Sequence, residues 1–144
     1  MNVSDGIRRY SRYPTDIPVM LGRVGGDDDT TCRTRNLSQG GMSFEALSHM
    51  EPGTSVHLRV PVCRPPIEVD SEVVWCRAAS GVFETGVRFE DAASLSGAWM
   101  AEQVKSIETY RFQKLHNDGR ALDGDQALRE WLAIRPNLTP PASP

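Results

Sequence analysis

From residue 17 to residue 89 the chain is a succession of short runs in which apolar and polar residues alternate, each broken off by turn-forming residues. A period of two is the mark of a strand with one buried face. The apolar members are Ile17, Val19 and Leu21; then Cys32 and Thr34, opposite Arg33 and Arg35; then Met42, Phe44 and Ala46. Next come Val56, Leu58, Val60 and Val62, then Ile67, Val69, Ser71, Val73 and Trp75, and last Phe83, Thr85, Val87 and Phe89. The breaks are Gly-Gly-Asp-Asp-Asp at 25–29, Ser38 to Gly41, Glu51-Pro52-Gly53, Pro65-Pro66 and Ser80-Gly81, which are turn and loop chemistry. About six short strands at this spacing predict an all-β barrel or sandwich. Closure into a barrel removes the exposed edges such strands otherwise leave. The alternation with Val73 favours a core position for Trp75 over an exposed stacking surface.

The period changes after Asp91. Residues 92–117 hold no proline, and Met100, Val104, Ile107, Arg111 and Leu115 fall on one helical stripe flanked by Trp99 and Phe112, the pattern of an amphipathic helix. Asp91 or Ser94 is a candidate cap, and Gly119 a stop. Asp123 is placed to cap a second, shorter helix carrying Leu128, Trp131 and Leu132 and ending before Pro136. An isolated helix is marginal, so the first stripe must meet the barrel, a second chain or a partner; it plugs the barrel end or forms an output surface. The organisation predicted is a basic arm at 1–14, a barrel at 15–91, a helical extension at 92–135 and a disordered Pro-rich tail at 136–144.

Composition excludes several classes. A net charge of −3 argues against a general nucleic-acid or anionic-membrane binder, which carries a broad basic field. Arg outnumbers Lys by 14 to 2; this suits bidentate phosphate and guanine contacts, and a GC-rich genome gives the same bias. Cys32, Cys63 and Cys76 are odd in number and form no C-x-x-C pair, so neither a disulfide framework nor a zinc site is expected. His49, His57 and His116 show no ligand spacing, and Ser38 lacks the G-x-S-x-G elbow of a nucleophile. The amino terminus is no signal peptide and no run approaches a membrane span, so a cytoplasmic protein without membrane insertion is expected.

Two motifs flank the first predicted hairpin. Arg8-Arg9-Tyr10-Ser11-Arg12 contains R-x-x-x-R, and Asn36-Leu37-Ser38-Gln39-Gly40-Gly41 fits [D/N]-x-S-x-x-G. Alone, the first is a solvated basic arm and the second a plain turn. In this order, at this spacing and against these strands, they resemble the PilZ family. Phe83-Glu84-Thr85-Gly86-Val87-Arg88-Phe89 is similar to that family's closing strand. The resemblance covers roughly residues 7–91, and the helical remainder resembles an extension of some single-domain members.

The resemblance implies a mainly β fold, a six-stranded antiparallel PilZ-type β-barrel followed by one long and one short C-terminal α-helix. It implies a non-enzymatic bacterial receptor for the second messenger cyclic di-GMP, needing no cofactor. Arg8, Arg12, Asn36, Ser38 and Gly41 take the family's ligand-binding positions, and Arg9 is a helper without an assigned role. The ligand carries two guanines and two phosphates, and a guanidinium fork matches guanine O6 and N7 or two phosphate oxygens. Asn36 and Ser38, two apart at a strand end, are expected to face the same way. Gly41 is expected to supply a positive φ or a close backbone approach. Asn36 stands where many members carry Asp, replacing a charge-assisted bond with a neutral one. With seven residues ahead of Arg8, the output is expected on the barrel or the helices, toward a protein partner in motility, adhesion or exopolysaccharide control. The alternative is a PilZ-like interaction module that binds no nucleotide. An oligonucleotide-binding barrel is disfavoured by the acidic balance and by the lack of a strand face both aromatic and basic.

Overall fold

The six alternating runs form β2 (Pro18–Arg23), β3 (Thr30–Leu37), β4 (Gly41–Ala46), β5 (Ser55–Val60), β6 (Ile67–Ala79) and β7 (Val82–Phe89), and a two-residue strand at the end of the predicted arm, β1 (Tyr13–Pro14), precedes them. The computed structural model describes residues 13–23, 30–90 and 95–136. The arm up to residue 12, the loop at 25–29, the capping candidates Asp91 and Ser94 and the tail from 137 lie outside the described residues. Every pairing is antiparallel. The order β3-β2-β5-β6-β7-β4 returns to β3 through a β3–β4 pairing, which closes a six-stranded barrel, and β1 adds to the outer end of β3. Two helices follow, α1 (Leu95–Asp118) and α2 (Gly124–Ile134). The architecture is the one the change of period predicts.

The inward faces are those the alternation marks. Ile17, Val19, Met42, Phe44, Val56, Leu58, Val60, Val73, Val87 and Phe89 are all buried, and Leu37, which the alternation does not mark, joins them past a register shift between Thr34 and Asn36. The β6–β7 hairpin turns at Ser80 and Gly81, both at positive φ, the geometry that matches strand twist in a two-residue loop. One expectation fails. The β6–β7 register shifts between Val73, opposite Val87, and Trp75, opposite Gly86. The extra residue of this bulge reverses the facing of everything after it. Trp75 is therefore outside the core, half-buried on the barrel's outer surface.

The helices join the same core. Met100, Ala101, Val104 and Ile107 of α1 are buried in one apolar cluster with the barrel residues, together with Leu122, Ala127, Leu128, Trp131 and Leu132. The stripe does not stay buried along its length: Leu115 is 54% and Phe112 67% exposed. At 1.5 Å per residue a helix of 24 residues is about 36 Å long, and its last turns lie beyond what the barrel can cover. Phe112 stacks on His116 instead. Asp123 caps α2 as expected: its carboxylate accepts from the Gln126 N–H at 2.7 Å while the Gln126 side chain accepts from the Asp123 N–H at 3.0 Å, a capping box. Tyr110 meets Trp131 edge-on and donates to Glu130 at 2.6 Å, which ties α1 to α2.

Candidate functional site

Strand pairing sets the residues that follow the first motif beside the start of the second. β1 follows Arg12 by one peptide link and pairs with β3, with Tyr13 opposite Leu37 and Pro14 opposite Asn36. The Thr15 N–H donates to the Arg35 carbonyl at 3.2 Å, and the Thr34 N–H to the Ile17 carbonyl at 3.1 Å. The chain leaving the R-x-x-x-R segment is thus fixed beside Asn36. Arg8, Arg9 and Arg12 themselves lie outside the described residues. Asn36 is half-buried, next to a register shift between Thr34 and Asn36 that turns the end of β3.

Ser38 behaves differently from the expectation that it faces the same way as Asn36. It is 1% exposed. Its hydroxyl donates to the Gly41 carbonyl and accepts from the Gly40 N–H, both at 3.3 Å, and its N–H donates to the Gly41 carbonyl at 2.8 Å. Ser38 therefore shapes the β3–β4 turn from within, because β3 ends at Leu37 and the period of two ends with it. Gly41 is needed for close approach and not for a positive φ: a Cβ there would fall 2.2 Å from the Val87 carbonyl oxygen. The Phe89 N–H donates to the Gly40 carbonyl at 2.9 Å, which fastens the turn to β7.

Outside the barrel, Asn36 pairs with Ser43, Ser43 with Gly86 and Gly86 with Trp75. Adjacent strands are about 4.8 Å apart, so this row runs roughly 14 Å from β3 to β6. Its middle is small and flat. The indole lies directly on Gly86, where a Cβ would fall 2.2 Å from the ring. The alternation hid Trp75; the signal that finds it is Gly86 inside a strand, which marks a close approach.

Charges frame this row. Arg35 donates to Glu45 at 2.9 Å, Arg77 to Glu84 at 2.8 Å, and Arg88 lies 3.6 Å from Glu72. The Arg77 guanidinium is 5.3 Å from the centre of the Trp75 ring, within cation–π range. On the far side, His57 bridges Asp70 through Nδ1 at 2.8 Å and Glu68 through Nε2 at 2.9 Å. Two carboxylate acceptors require both ring nitrogens to donate, so these bonds favour the imidazolium and raise the His57 pKa. Burial pushes the Cys32 thiol up to about 11 and raises that of Cys63, which keeps both protonated and poorly nucleophilic at neutral pH. Among the described residues no group of His, Cys, Asp and Glu is placed to hold a metal ion, and no helix is long and apolar enough to cross a membrane.

Solved structures share this fold. The inhibitor of motility MotI/DgrA of Bacillus subtilis superposes with a TM-score of 0.57 at 14% identity, over 72% of this chain and 52% of that one. The PilZ domain of YcgR from Escherichia coli, solved with c-di-GMP, gives 0.56 at 15% identity, over 76% of this chain and 98% of that one. The K. pneumonia MrkH–c-di-GMP complex gives 0.52 at 11% identity, over 77% of this chain and 55% of that one. The chain thus spans about half the length of MotI/DgrA and MrkH. No curated protein matches it. The PilZ domain model matches residues 7–104, running past the barrel into α1. With the barrel, the turn and that match together, the chain belongs to the PilZ domain family.

Proposed function

We propose that this chain is a non-enzymatic bacterial receptor that binds cyclic di-GMP and passes its occupancy to a protein partner, in the cytoplasm and in the control of motility, adhesion or exopolysaccharide. The observation that carries the reading is the pairing of Pro14 with Asn36, which sets the chain leaving the arginine segment beside the first residue of the turn motif. Family membership and the c-di-GMP complexes of YcgR and MrkH support it.

In this reading Arg8 and Arg12 supply guanidinium forks to phosphate oxygens or to guanine O6 and N7, with Arg9 as a helper. Asn36 meets the opposite guanine edge through its side-chain amide. Ser38 and Gly41 act through the turn, holding its backbone beside Asn36. Trp75 offers an aromatic surface at the other end of the row, where a base can stack. The second reading, a module that binds no nucleotide, draws on one observation: the Ser38 hydroxyl is already engaged within the turn.

Titration with cyclic di-GMP, cyclic di-AMP and single-stranded DNA separates these readings. Cyclic di-GMP alone is expected to saturate. Charge-assisted bonds contribute about 1.5–3 kcal/mol each, so Arg8→Ala or Arg12→Ala is expected to weaken binding about tenfold or more. Unchanged affinity in both folded variants contradicts the site.

A further inference from the structure

Thr15 and Asp16, the two residues after β1, are held by both helices. Arg111 of α1 donates to Asp16 at 2.5 Å, to both carboxylate oxygens of Glu108 at 3.1 and 3.2 Å, and to the Leu122 carbonyl at 2.9 and 3.2 Å. Glu108 in turn accepts from the Thr15 hydroxyl at 2.9 Å. Gly124, the first residue of α2, sits against the same point, since a Cβ there would fall 2.4 Å from the Asp16 carbonyl oxygen. The Arg111 side chain is 20% exposed, and a guanidinium withdrawn from water to that degree needs several partners. Here those partners belong to the barrel lip, to α1 and to the segment joining α1 to α2.

We propose that Arg111 is a positioning residue for the ligand site, and that its bonds couple ligand occupancy to α1 and α2. The inference rests on the cyclic di-GMP reading. Thr15 and Asp16 lie within four residues of Arg12 and directly follow the Pro14–Asn36 pair. Fixing them fixes where the chain from the arginine segment meets β3. Coupling of this kind is reciprocal: if the helices hold the site in place, an occupied site holds the helices.

The test uses the full chain with cyclic di-GMP as the probe, reading affinity by calorimetry and amide hydrogen exchange in 122–132 with and without ligand. Arg111→Met and Asp16→Ala are each expected to weaken binding about fivefold or more, the lower end for coupled sites, and to remove the ligand's effect on exchange. The double variant is expected to be no weaker than Arg111→Met alone, because that substitution already breaks the bond to Asp16. Arg111→Lys, which keeps the charge, is expected to recover part of the loss and serves if the methionine variant fails to fold. Tyr110→Phe removes a bond between the helices without touching Asp16 and is expected to leave affinity unchanged, which separates positioning from general destabilisation. Wild-type binding that neither Arg111→Met nor Asp16→Ala alters overturns this inference alone. Absence of wild-type binding overturns it together with the cyclic di-GMP reading.

Discussion

Gly86 and Trp75 decide the character of the outer row. Replacing Gly86 with Ala puts a methyl group where the indole lies, and the ring must move. Overpacking of this kind costs about 1–3 kcal/mol. Gly86→Ala is expected to lower the denaturation midpoint and change the near-ultraviolet circular dichroism; a spectrum and midpoint like the parent's contradict the packing. A second residue-scale prediction concerns His57. Its pKa is raised by Asp70 and then Glu68, so its stabilisation is fully present below about 6.5 and is lost as pH rises through the raised value. Glu68 is lowered, chiefly by His57, so its share is present above about 4.5 and is lost as pH falls through the lowered value. The cluster contributes most between those limits. His57→Gln is expected to remove a fall in thermal midpoint on the alkaline side, and parallel pH profiles for the two proteins contradict it. Residue-scale legibility was uneven. Inward residues such as Phe44 and Val87 were readable because burial follows the period of two, but a single bulge moved Trp75 to the other face and the turn drew Ser38 inward.

At the scale of elements, the six barrel strands, both helices and the Asp123 cap were legible because each has a local signal. How far α1 stays buried was not, because that depends on where the barrel ends. The buried half of α1 shares the barrel's core, so it acts as a structural plug, while its exposed end at Phe112 and Leu115 carries no such load. Burial of Met100, Val104 and Ile107 is worth roughly 5–9 kcal/mol at 1.5–3 kcal/mol per side chain, comparable to the whole stability of a small domain. A chain ending at Asp91 is therefore expected to be unfolded by circular dichroism. A folded, cooperatively melting product contradicts the plug.

For the whole molecule, barrel closure sets the geometry on which the function depends. β3 pairs with β1, β2 and β4, so the segment that follows the arginines, the turn and the row leading to Trp75 meet at one strand. The helices then hold that meeting point through Thr15 and Asp16. Sequence spacing indicated the two motifs but not how the chain between them is anchored, which rests on a two-residue strand too short to carry a period. The most direct measurement of the central claim is calorimetric titration of the full chain with cyclic di-GMP. The account predicts a saturable heat that Arg12→Ala weakens about tenfold or more. No saturable heat from the folded wild-type chain contradicts it.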